Sequence, residues 1–568
     1  MIEITAVEPR PNASSIEALR VESESVIRSR FESYLHDESS FGPGSAITVS
    51  FPLTEAHVSM FLKELNANKI PVTISGARTG IVGGAVPIGG AIISLEKMNR
   101  VLGVRWNESA QEWTLICQPG VRLNELQDQL ARKNFGNDAT NPVDSEWKDL
   151  PRFLRERATY FYAPDPTEES ASLGGTVATD ASGARTYFYG RTRAHVRAIR
   201  VVLATGDVLA LRRGQNQVDS TMTIEIRHLD GSTKRVPLPT YTRPNVKCAT
   251  GYFTREKMDL IDLFIGSEGT LGAITEIEIA LTVAPVHVAM FLAFFPSQDA
   301  AIGFVQHVRS LGFTREPLTL HSMEYMDSNS LGLLRNLVEE NQLPSGIKLP
   351  TDKAGTAILS EFGYGDPTEA IRLLQAPLEK FGSLLETAVS GLEERDRKSL
   401  KTLRHAIPEA INKIVARRKS NIPGMHKIST DTAVPDNKLD FLVGQYTERL
   451  NASGLEHYMF GHIAENHLHV NIIPRNTEEL LKAEKLAEEL AREAVAMGGA
   501  VSAEHGIGKL KKKLLSIQYD QEAISQMLRT KIALDPNMIM CPGNIFTNQK
   551  QEALHVRTVG LGCSSLSE

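Results

Sequence analysis

Two short blocks near the C-terminus carry the residue types best suited to chemistry. GHIAENHLHVN occupies 461–471 and SAEHGIG occupies 502–508. A divalent transition metal takes neutral imidazoles and carboxylates from a protein, and His462, His469 and Glu504 supply that set. His505 follows Glu504 directly, so its side chain points in a different direction and is placed to accept a proton. The two blocks together predict a metal centre with a base beside it.

The first block also predicts a hairpin. MFGHI reads as the end of a strand, AEN as a turn and HLHVNII as a second strand. Alternation along the second strand puts His467, His469 and Asn471 on one face. If the two strands pair, His462 lies across from His469. The competing interpretation, that these histidines are buried packing groups, suits a single histidine better than five ionisable groups in two glycine-bounded blocks.

The totals describe an ordinary globular chain. It has 568 residues, 42% of them hydrophobic and 23% charged, and its net charge of -6 gives no sign of nucleic-acid binding. We expect neither a signal peptide nor a transmembrane helix, because residues 1–20 lack an apolar core and no run of about 18 apolar residues occurs. The four cysteines form no CxxC pair, so an iron–sulfur or Cys-ligated zinc module is not expected. A reducing, cytoplasmic location, free or peripheral to a membrane, fits best.

Three glycine-rich blocks in the first half predict an anion site. GARTGIVGGAVP at 76–87 follows a predicted strand, and glycine lets successive backbone amides approach a phosphate closely. The block has neither the GK[ST] ending of a Walker loop nor GxGxxG spacing. Blocks at 163–209 and 264–281 add small residues along which a diphosphate and a flat ring can lie. For the 76–87 block alone, a mobile turn is an equally good interpretation.

The pattern of predicted elements divides the chain into four parts. Strand–helix–strand signals in the first half predict an α/β arrangement, and Asp230-Gly231 predicts a hairpin inside a polar insertion. The second half alternates strands and long helices, which predicts an α+β domain with one antiparallel sheet. The predicted parts are an N-terminal helical segment (1–44), a first domain (45–285, with insertions near 137–158 and 212–246), a cap domain (286–530) and a segment returning to the first domain (531–568).

These motifs resemble a known family. The chain is similar to the FAD-linked 2-hydroxy acid dehydrogenases of the vanillyl-alcohol-oxidase superfamily, which include FAD-dependent D-lactate dehydrogenases, the glycolate oxidase flavoprotein subunit and D-2-hydroxyglutarate dehydrogenase. The motifs run in family order over about 45–546. They are PVTISGARTGIVGGAVP, PDPTEESASLGGTVATDASGARTYFYGRTR, IGSEGTLGAITEI, GHIAENHLHVN, SAEHGIGK and DPNMIMCPGNIF. The resemblance implies an α+β fold: a two-lobed FAD-binding domain of the vanillyl-alcohol-oxidase (PCMH) type and an α+β substrate or cap domain with an antiparallel sheet.

The resemblance also assigns roles to individual residues. His462, His469 and Glu504 match the family's metal ligands and His505 its catalytic histidine. Arg404 matches the arginine that holds the substrate carboxylate, and Lys427 falls near a second substrate-binding position. The implied FAD-binding residues are Gly76, Ala77, Arg78, Thr79, Gly80, Gly83, Gly84, Pro164, Asp165, Thr167, Gly174, Gly175, Ala178, Gly183, Glu268, Gly269, Gly272, Ile274 and Asn544.

The chain departs from the family pattern in three places. The family's GDGN between the two metal histidines is replaced here by residues 464–467, which read Ala-Glu-Asn-His. His467 therefore stands where the family has Asn, as a fourth ligand or a supporting group. Asp180 replaces an Asn near the expected FAD channel. No His lies in the 76–84 loop, so covalent attachment of FAD to that loop is not expected.

The implied activity is FAD-dependent oxidation of D-lactate or a related D-2-hydroxy acid to the 2-oxo acid, with a divalent Zn, Mn or Fe ion orienting the substrate. A separate electron acceptor would be a quinone, a cytochrome, a flavoprotein or an iron–sulfur subunit, and a homodimer is the default expectation. One alternative is an enzyme like alkyl-glycerone-phosphate synthase, although residues 503–505 lack that enzyme's run of adjacent histidines. A non-catalytic electron-transfer flavoprotein subunit is another. A phenol oxidase of the same superfamily is disfavoured by the 461–508 cluster.

Overall fold

The computed structural model describes residues 1–10, 19–39, 41–136, 145–343, 349–350, 355–384, 388–419 and 425–546. Each of the four predicted parts contains residues outside these ranges, including 137–144 of the first insertion and 547–568 of the C-terminal segment. A four-stranded and a five-stranded sheet dominate the first half of the chain, and a nine-stranded sheet dominates the second half. The strands of the two halves separate close to the boundary predicted near residue 285.

The elements of the first half are short and mostly connected by glycine-rich turns. Its strands are β1 (Ile2–Thr5), β2 (Leu19–Val21), β3 (Thr48–Phe51), β4 (Val72–Ser75), β5 (Ala91–Ser94), β6 (Val101–Asn107), β7 (Glu112–Cys117), β8 (Tyr160–Phe161), β9 (Val196–Val202), β10 (Val208–Arg212), β11 (Thr223–Arg227), β12 (Thr233–Pro237), β13 (Ala273–Ala280) and β14 (Thr282–Val283). Its helices are α1 (Glu24–Arg30), α2 (Glu55–Ala67), α3 (Leu123–Arg132), α4 (Leu150–Arg155), α5 (Leu173–Thr179), α6 (Thr186–Tyr189), α7 (Thr192–His195) and α8 (Ile261–Phe264).

The four-stranded sheet positions the first glycine-rich loop. Its order is β2-β3-β5-β4, and β3, β5 and β4 run parallel. Helix α2 connects β3 to β4; the Thr54 hydroxyl caps its N-terminus, and Val58 and Leu62 are buried in the core under the sheet. Loop 76–84 leaves the carboxyl end of β4, the edge at which open parallel sheets bind ligands.

The five-stranded sheet lies in the order β10-β9-β13-β7-β6 and is antiparallel throughout. Strands β9 and β10 form a hairpin over VRAIRVVLATGDVL, with Gly206 at a φ of +87° in the turn. The sequence reading did not anticipate helix α5 in the second glycine-rich block. The Ser172 hydroxyl accepts a hydrogen bond from the Gly175 amide and caps the N-terminus of this helix. Gly174 and Gly175 lie in its first turn.

The N-terminal part is not the helical segment that we predicted for 1–44. Among its described residues only Glu24–Arg30 is an α-helix of more than one turn, because two stretches find strand partners instead. Strand β1 pairs in parallel with β11, and β2 pairs with β3. The hairpin predicted around Asp230-Gly231 is present as β11 and β12, and it joins β1 in a three-stranded sheet.

The second half combines long helices with longer strands. Its strands are β15 (His287–Phe295), β16 (Thr314–Arg315), β17 (Leu318–Met326), β18 (Thr356–Tyr364), β19 (Val389–Gly391), β20 (Ile428–Ser429), β21 (Thr432–Ala433), β22 (His457–Gly461) and β23 (His467–Ile472). Its helices are α9 (Gln298–Ser310), α10 (Ser328–Glu339), α11 (Pro367–Lys380), α12 (Glu394–Lys419), α13 (Leu439–Ser453), α14 (Thr477–Ala496), α15 (Lys512–Gln518) and α16 (Gln521–Leu534).

The nine-stranded antiparallel sheet has helices on both faces. Its main path is β19-β15-β18-β17-β22-β23-β20. One face packs against α9, α13 and α14, and the other packs against α10 and α12. Neighbouring residues of β18 show the alternation: Ile358 joins the first core and Leu359 the second. His467 and His469 therefore stand on a strand of this sheet, and Arg404 stands on a helix that packs against it.

The C-terminal described segment returns to the first domain. Met540 forms a parallel bridge with Val72, and Ile539 and Met540 are buried beside β4. This return brings Asn544 next to the 76–84 loop, where its amide donates to the Gly84 carbonyl over 3.0 Å. Within the described part of the chain, the helices are too short or too polar to cross a bilayer.

Candidate active site

The hairpin that carries the histidines forms with a register different from the predicted one. Strands β22 and β23 are antiparallel and a short 3₁₀ turn joins them, but Phe460, not His462, pairs with His469. His462 lies beyond the end of β22, so the expectation that it sits across from His469 was wrong. Gly461 has a φ of +146°, and a Cβ there would lie 2.9 Å from the His467 carbonyl oxygen. This tight approach lets the two strands close over the turn and still brings the histidine rings together.

Four side chains of this region converge on one point. His462 Nε2 and His469 Nε2 lie 3.5 and 3.3 Å from Glu504 Oε1. His467 Nδ1 lies 3.8 Å from Glu504 Oε2. One donor atom from each of the four residues lies within 4.8 Å of every other. The three ligands predicted from the sequence are therefore brought together, and His467 joins them as a fourth.

The donor atoms of this cluster fit a divalent cation. His467 Nε2 is 2.9 Å from Asp431 Oδ1, while its buried Nδ1 has no hydrogen-bond partner among the described residues. An orphaned buried nitrogen is costly unless something unseen satisfies it. Burial lowers the pKa of His467 to about 3, which keeps the imidazole neutral. Burial would raise the pKa of Glu504, but the Lys247 ammonium and His462 hold it well below its usual range. A neutral imidazole and an ionised carboxylate are the forms that bind metal.

Asp431 connects the metal-ligand candidates to His505. Its Oδ2 accepts hydrogen bonds from the Ser502 hydroxyl at 2.6 Å, the His505 amide at 3.0 Å and the Lys511 ammonium at 2.9 Å. His505 Nδ1 lies 3.3 Å from the same oxygen. The His505 ring stacks on the His469 ring with 5.2 Å between centroids. Its Nε2 lies 3.5 Å from Glu504 Oε1. Burial lowers the pKa of His505 to about 3, which keeps the ring neutral.

Arg404 faces a second cavity, of about 440 Å³, which lies on the cap-domain side of the cluster. Its Nε donates to Glu324 Oε2 over 2.6 Å, and Glu324 Oε1 is 2.5 Å from His462 Nδ1. The chain Arg404–Glu324–His462 thus joins the substrate-binding candidate to a metal-ligand candidate. Glu324 fixes the guanidinium by one edge only. Arg404 is 8% exposed, so its ion pair with Glu324 is buried and does not lie on the surface of helix α12.

The structure does not bring Lys427 into this site. Its ammonium donates to Asn412 Oδ1 over 3.0 Å, and it lines neither of the two cavities described here. Burial lowers its pKa. The substrate-binding role suggested for Lys427 by the resemblance therefore has no geometric support in this structure.

The first cavity, of about 300 Å³, lies in the FAD-binding half between the glycine-rich blocks. A Cβ added at Gly80 would meet no atom within 4 Å, so the loop presents bare backbone to open space, as a diphosphate cradle requires. Glu504 and His505 also line this cavity. The predicted cofactor residues that line it are Gly76, Ala77, Arg78, Thr79, Gly80, Gly84, Thr167, Gly174, Gly175, Ala178, Glu268, Gly269, Gly272, Ile274 and Asn544.

Four predicted cofactor residues lie elsewhere. Pro164 and Asp165 line the second cavity, because the chain crosses from one cavity to the other between them and Thr167. Gly183 packs so closely on Asp165 that an added Cβ would lie 1.8 Å from its carbonyl oxygen. Gly83, at a φ of +77°, packs against Phe41. Two of the four thus lie in the wall of the second cavity, and the two glycines lie where the backbone packs closely on a neighbour.

Asp180, which replaces the family's Asn, also turns away from the cofactor cavity. It is buried, and its carboxylate lies 3.1 Å from Arg193 Nε and 3.5 Å from Arg191 Nη1. Burial would raise the pKa of Asp180, but these two guanidinium groups lower it. The change from amide to carboxylate is thus compensated by neighbouring arginines and leaves the cavity wall unaltered.

Three polar anchors hold the cofactor cavity against the catalytic segment. The Glu268 carboxylate accepts hydrogen bonds from the amides of Ile507 and Gly508 at 2.7 and 2.6 Å. Asn544 Nδ2 donates to the carbonyl oxygens of Gly84 and Glu268, and Lys509 donates to Asn544 Oδ1 over 2.6 Å. The sequence indicated Glu268 and Asn544 as cofactor ligands. The structure shows that they also fasten the segment carrying His505 to the cofactor loops.

Comparisons with known proteins agree with this architecture. Residues 46–140 and 145–212 match the family described as FAD binding domain, and residues 284–545 match the family described as FAD linked oxidases, C-terminal domain. D-lactate dehydrogenase of Anaerostipes hadrus is 30% identical over 525 residues, which cover 90% of this chain and 92% of that protein. The chain belongs to the FAD-linked oxidase family. FAD is accordingly its cofactor, and it is an FAD-linked oxidoreductase.

One further relative and one solved structure extend the comparison. D-2-hydroxyglutarate dehydrogenase of Bos taurus is 28% identical over 507 residues, covering 88% of this chain and 76% of that protein. The structure of p-cresol methylhydroxylase with substrate bound is similar with a TM-score of 0.62 at 15% identity, covering 94% of each chain. At that identity the likeness concerns the fold alone, and it confirms the two-domain PCMH-type fold predicted from the sequence.

Several functional residues of this FAD-linked oxidase were not found by reading the sequence. Glu324 lies in a strand with no local motif, and Asp431 lies in HKISTD, where only the neighbouring Lys427 was noted. Both residues are far in sequence from the side chains that they position. Lys247 directly follows the predicted 212–246 insertion. All three are charged residues that the structure buries, and no motif or spacing marks them in the sequence.

Lys247 supplies the counter-charge of the cluster in this FAD-linked oxidase. Its ammonium lies 3.0 Å from Glu504 Oε2 and 3.1 Å from Glu465 Oε2. The Lys247 side chain is only 1% exposed. Burial would lower the pKa of Lys247, but Glu465 and Glu504 raise it, so the ammonium stays charged. Glu465 lies in the 464–467 turn, whose sequence departs from the family pattern. Its carboxylate forms an ion pair with Lys247.

Replacing Lys247 with methionine is expected to destabilise the metal-free protein by about 3 kcal/mol, because two buried carboxylates lose their partner. A bound cation would restore part of that loss. Thermal unfolding with and without a chelator measures both effects. Lys513→Met is the matched control, since the Lys513 side chain is 87% exposed and its loss is expected to cost less than about 0.5 kcal/mol. Equal shifts in the two variants would contradict the assigned role.

Proposed function

We propose that this FAD-linked oxidase oxidises a D-2-hydroxy acid, D-lactate or a related acid, to the 2-oxo acid with the help of a divalent metal. One observation carries the proposal. The cluster of His462, His467, His469 and Glu504 stands between the two cavities: Glu504 reaches the cofactor cavity, and His462 reaches the cavity of Arg404. A small acid bound beside the cluster would therefore be in reach of a cofactor on one side and a cationic clamp on the other.

Arg404 and His505, which lie beside the cluster, would have separate roles in the proposed reaction. Arg404 would bind the substrate carboxylate through the guanidinium edge that Glu324 leaves open, which fixes the orientation of the acid. His505 would accept the hydroxyl proton at Nε2 while Asp431 holds the opposite side of the ring. When bound, FAD accepts a hydride from the substrate carbon, and a divalent metal makes the hydroxyl proton easier to remove.

The metal and the electron acceptor belong to the same proposal. The donor set of three imidazoles and one carboxylate suits Zn, Mn or Fe. His462, His467, His469 and Glu504 would hold the ion. A separate acceptor, whether quinone, cytochrome, flavoprotein or iron–sulfur subunit, would reoxidise the flavin. The D configuration and the acid class come from the names of the relatives at 28–30% identity.

A dye-linked steady-state assay tests the proposed function. The FAD-loaded, metal-replete protein is assayed with the D and L enantiomers of lactate, 2-hydroxybutyrate, malate and 2-hydroxyglutarate. We expect turnover with D acids, at least tenfold faster than with their L enantiomers, and formation of the matching 2-oxo acid. Turnover of L acids only, or of none of these acids, would overturn the proposal. A protein that transfers electrons from a reduced partner to the dye, but oxidises no acid, would instead be an electron-transfer subunit.

A further inference from the structure

Helix α12 carries a second cation into the cavity of Arg404. Lys401 and Arg404 both line that cavity, and they stand three residues apart on one face of the helix. Three residues of α-helix span about 4.5 Å along the axis. Arg404 lies toward the metal-ligand candidates through Glu324, whereas Lys401 lies one turn earlier. The cavity therefore has cationic groups at two separated positions along its wall.

Lys401 has no carboxylate within hydrogen-bond distance among the described residues, although it lines a partly buried cavity. The nearest carboxylate oxygen is Glu361 Oε2, at 3.9 Å, which is beyond hydrogen-bond distance. That carboxylate is already held by Arg185, whose Nε and Nη2 lie 2.7 and 3.0 Å from its two oxygens, and by His321 at 3.4 Å. Burial and the neighbouring Arg185 guanidinium lower the pKa of Lys401. About half of its side chain, 48%, is exposed and faces the cavity.

The cavity is also larger than a three-carbon acid requires. Its volume of about 440 Å³ extends from His462 past Arg404 to Lys401 and Arg185. A substrate whose carboxylate is held by Arg404 leaves the Lys401 end filled with water unless it has a longer chain. The ammonium at that end selects an anionic group on that chain over an apolar one, because an apolar tail would desolvate the charge without pairing it.

We propose that Lys401 is a specificity-determining residue that binds a second carboxylate, so the favoured substrates are dicarboxylic 2-hydroxy acids. The inference rests on the proposed function, since it concerns the same reaction. Arg404 would take the carboxylate beside the reacting carbon and Lys401 the remote one. A three-carbon monocarboxylate would occupy the inner end of the cavity only, and it would be oxidised with a higher KM.

Kinetics with matched acids test this assignment. D-2-hydroxyglutarate and D-2-hydroxyvalerate have the same chain length, and only the first has a remote carboxylate. In the wild-type protein we expect kcat/KM to be at least about tenfold higher for D-2-hydroxyglutarate, mostly through KM, as for one charge-assisted hydrogen bond. Lys401→Met should reduce the ratio to about threefold or less, by lowering kcat/KM for D-2-hydroxyglutarate without lowering it for D-2-hydroxyvalerate. Lys401→Arg should keep most of the preference, which separates loss of charge from loss of folding.

Lys398→Met is the control on the same helix. Lys398 lies one turn before Lys401, is 74% exposed in its side chain and pairs with Glu394, so its loss should change neither substrate. An unchanged ratio in Lys401→Met, or a wild-type preference for D-2-hydroxyvalerate, would overturn the inference and leave the proposed function standing. Failure of every hydroxy acid to reduce the flavin would overturn both. The absorbance of bound FAD in each variant verifies that the protein is folded.

Discussion

The His462→Ala variant is expected to lose bound metal and to turn over a D-2-hydroxy acid on the order of 10³-fold more slowly, while it still purifies yellow with FAD. His462 supplies Nε2 to the cluster and links it through Glu324 to Arg404, so its removal opens the metal site and loosens the clamp together. Loss of charge stabilisation at the reacting oxygen is worth several kcal/mol. Metal analysis, the flavin spectrum and kcat/KM on the same preparation measure the three parts of this prediction.

FAD is expected to stay bound because His462 does not line the cofactor cavity. His287→Ala is a suitable control, since His287 is exposed and stacks only on Tyr364. It should keep the metal, the flavin and the activity. A His462→Ala protein that turns over normally without metal would refute the role given to the cluster. Loss of the flavin would instead show that His462 supports FAD binding although it does not line the cofactor cavity.

The second large effect is expected from His505→Gln. Glutamine can still fill the space but cannot take the hydroxyl proton, so kcat should fall by about 10²- to 10⁴-fold. Metal content should be little changed, because the donor atoms of His462, His467, His469 and Glu504 converge without His505. Stopped-flow flavin reduction measures the loss on the chemical step itself.

Two comparisons make the His505 prediction specific. Asp431→Asn should reduce the rate less than His505→Gln if Asp431 only orients the ring, although it would also disturb the hydrogen bonds of Ser502 and Lys511. His287→Gln should leave the rate unaltered. If His505→Gln reduces the flavin at the wild-type rate, another group accepts the proton and the assignment of the base is wrong.

Much of the site could be predicted because it is encoded locally. The alternation HLHVN, the turn before it and the SAEHGIG segment each keep their reactive groups within a few residues, so motif and spacing identify them. The glycine-rich loops are likewise local, since their glycines stand within a few residues of one another in the sequence. The family resemblance adds the order of these blocks along the chain and with it the two-domain fold.

The remainder could not be predicted because it depends on contacts between distant segments. The register of β22 against β23 follows from the close approach at Gly461, not from counting residues across the turn. Glu324 and Lys247 meet the cluster from segments more than 100 residues away. Sequence patterning marks such residues only as charges in buried surroundings, and it cannot say which partner each one finds.

Lys401 shows the same limit on the substrate side. Its sequence context, a basic residue on a long polar helix, is that of a solvated face. Only the packing of α12 against β15 turns it toward the cavity that Arg404 lines. Arg404 was identified by resemblance and not by its spacing. The residues that would select the substrate can thus be identified only from the folded structure.

Anaerobic mixing of the FAD-loaded protein with a D-2-hydroxy acid, before and after removal of metal by a chelator, tests the central claim most directly. The account predicts rapid bleaching of the flavin absorption band in the metal-replete protein, formation of one equivalent of 2-oxo acid, and a rate lower by orders of magnitude after chelation that returns when Zn, Mn or Fe is added back. A flavin that no D-2-hydroxy acid bleaches, or one that bleaches equally fast without metal, would contradict it.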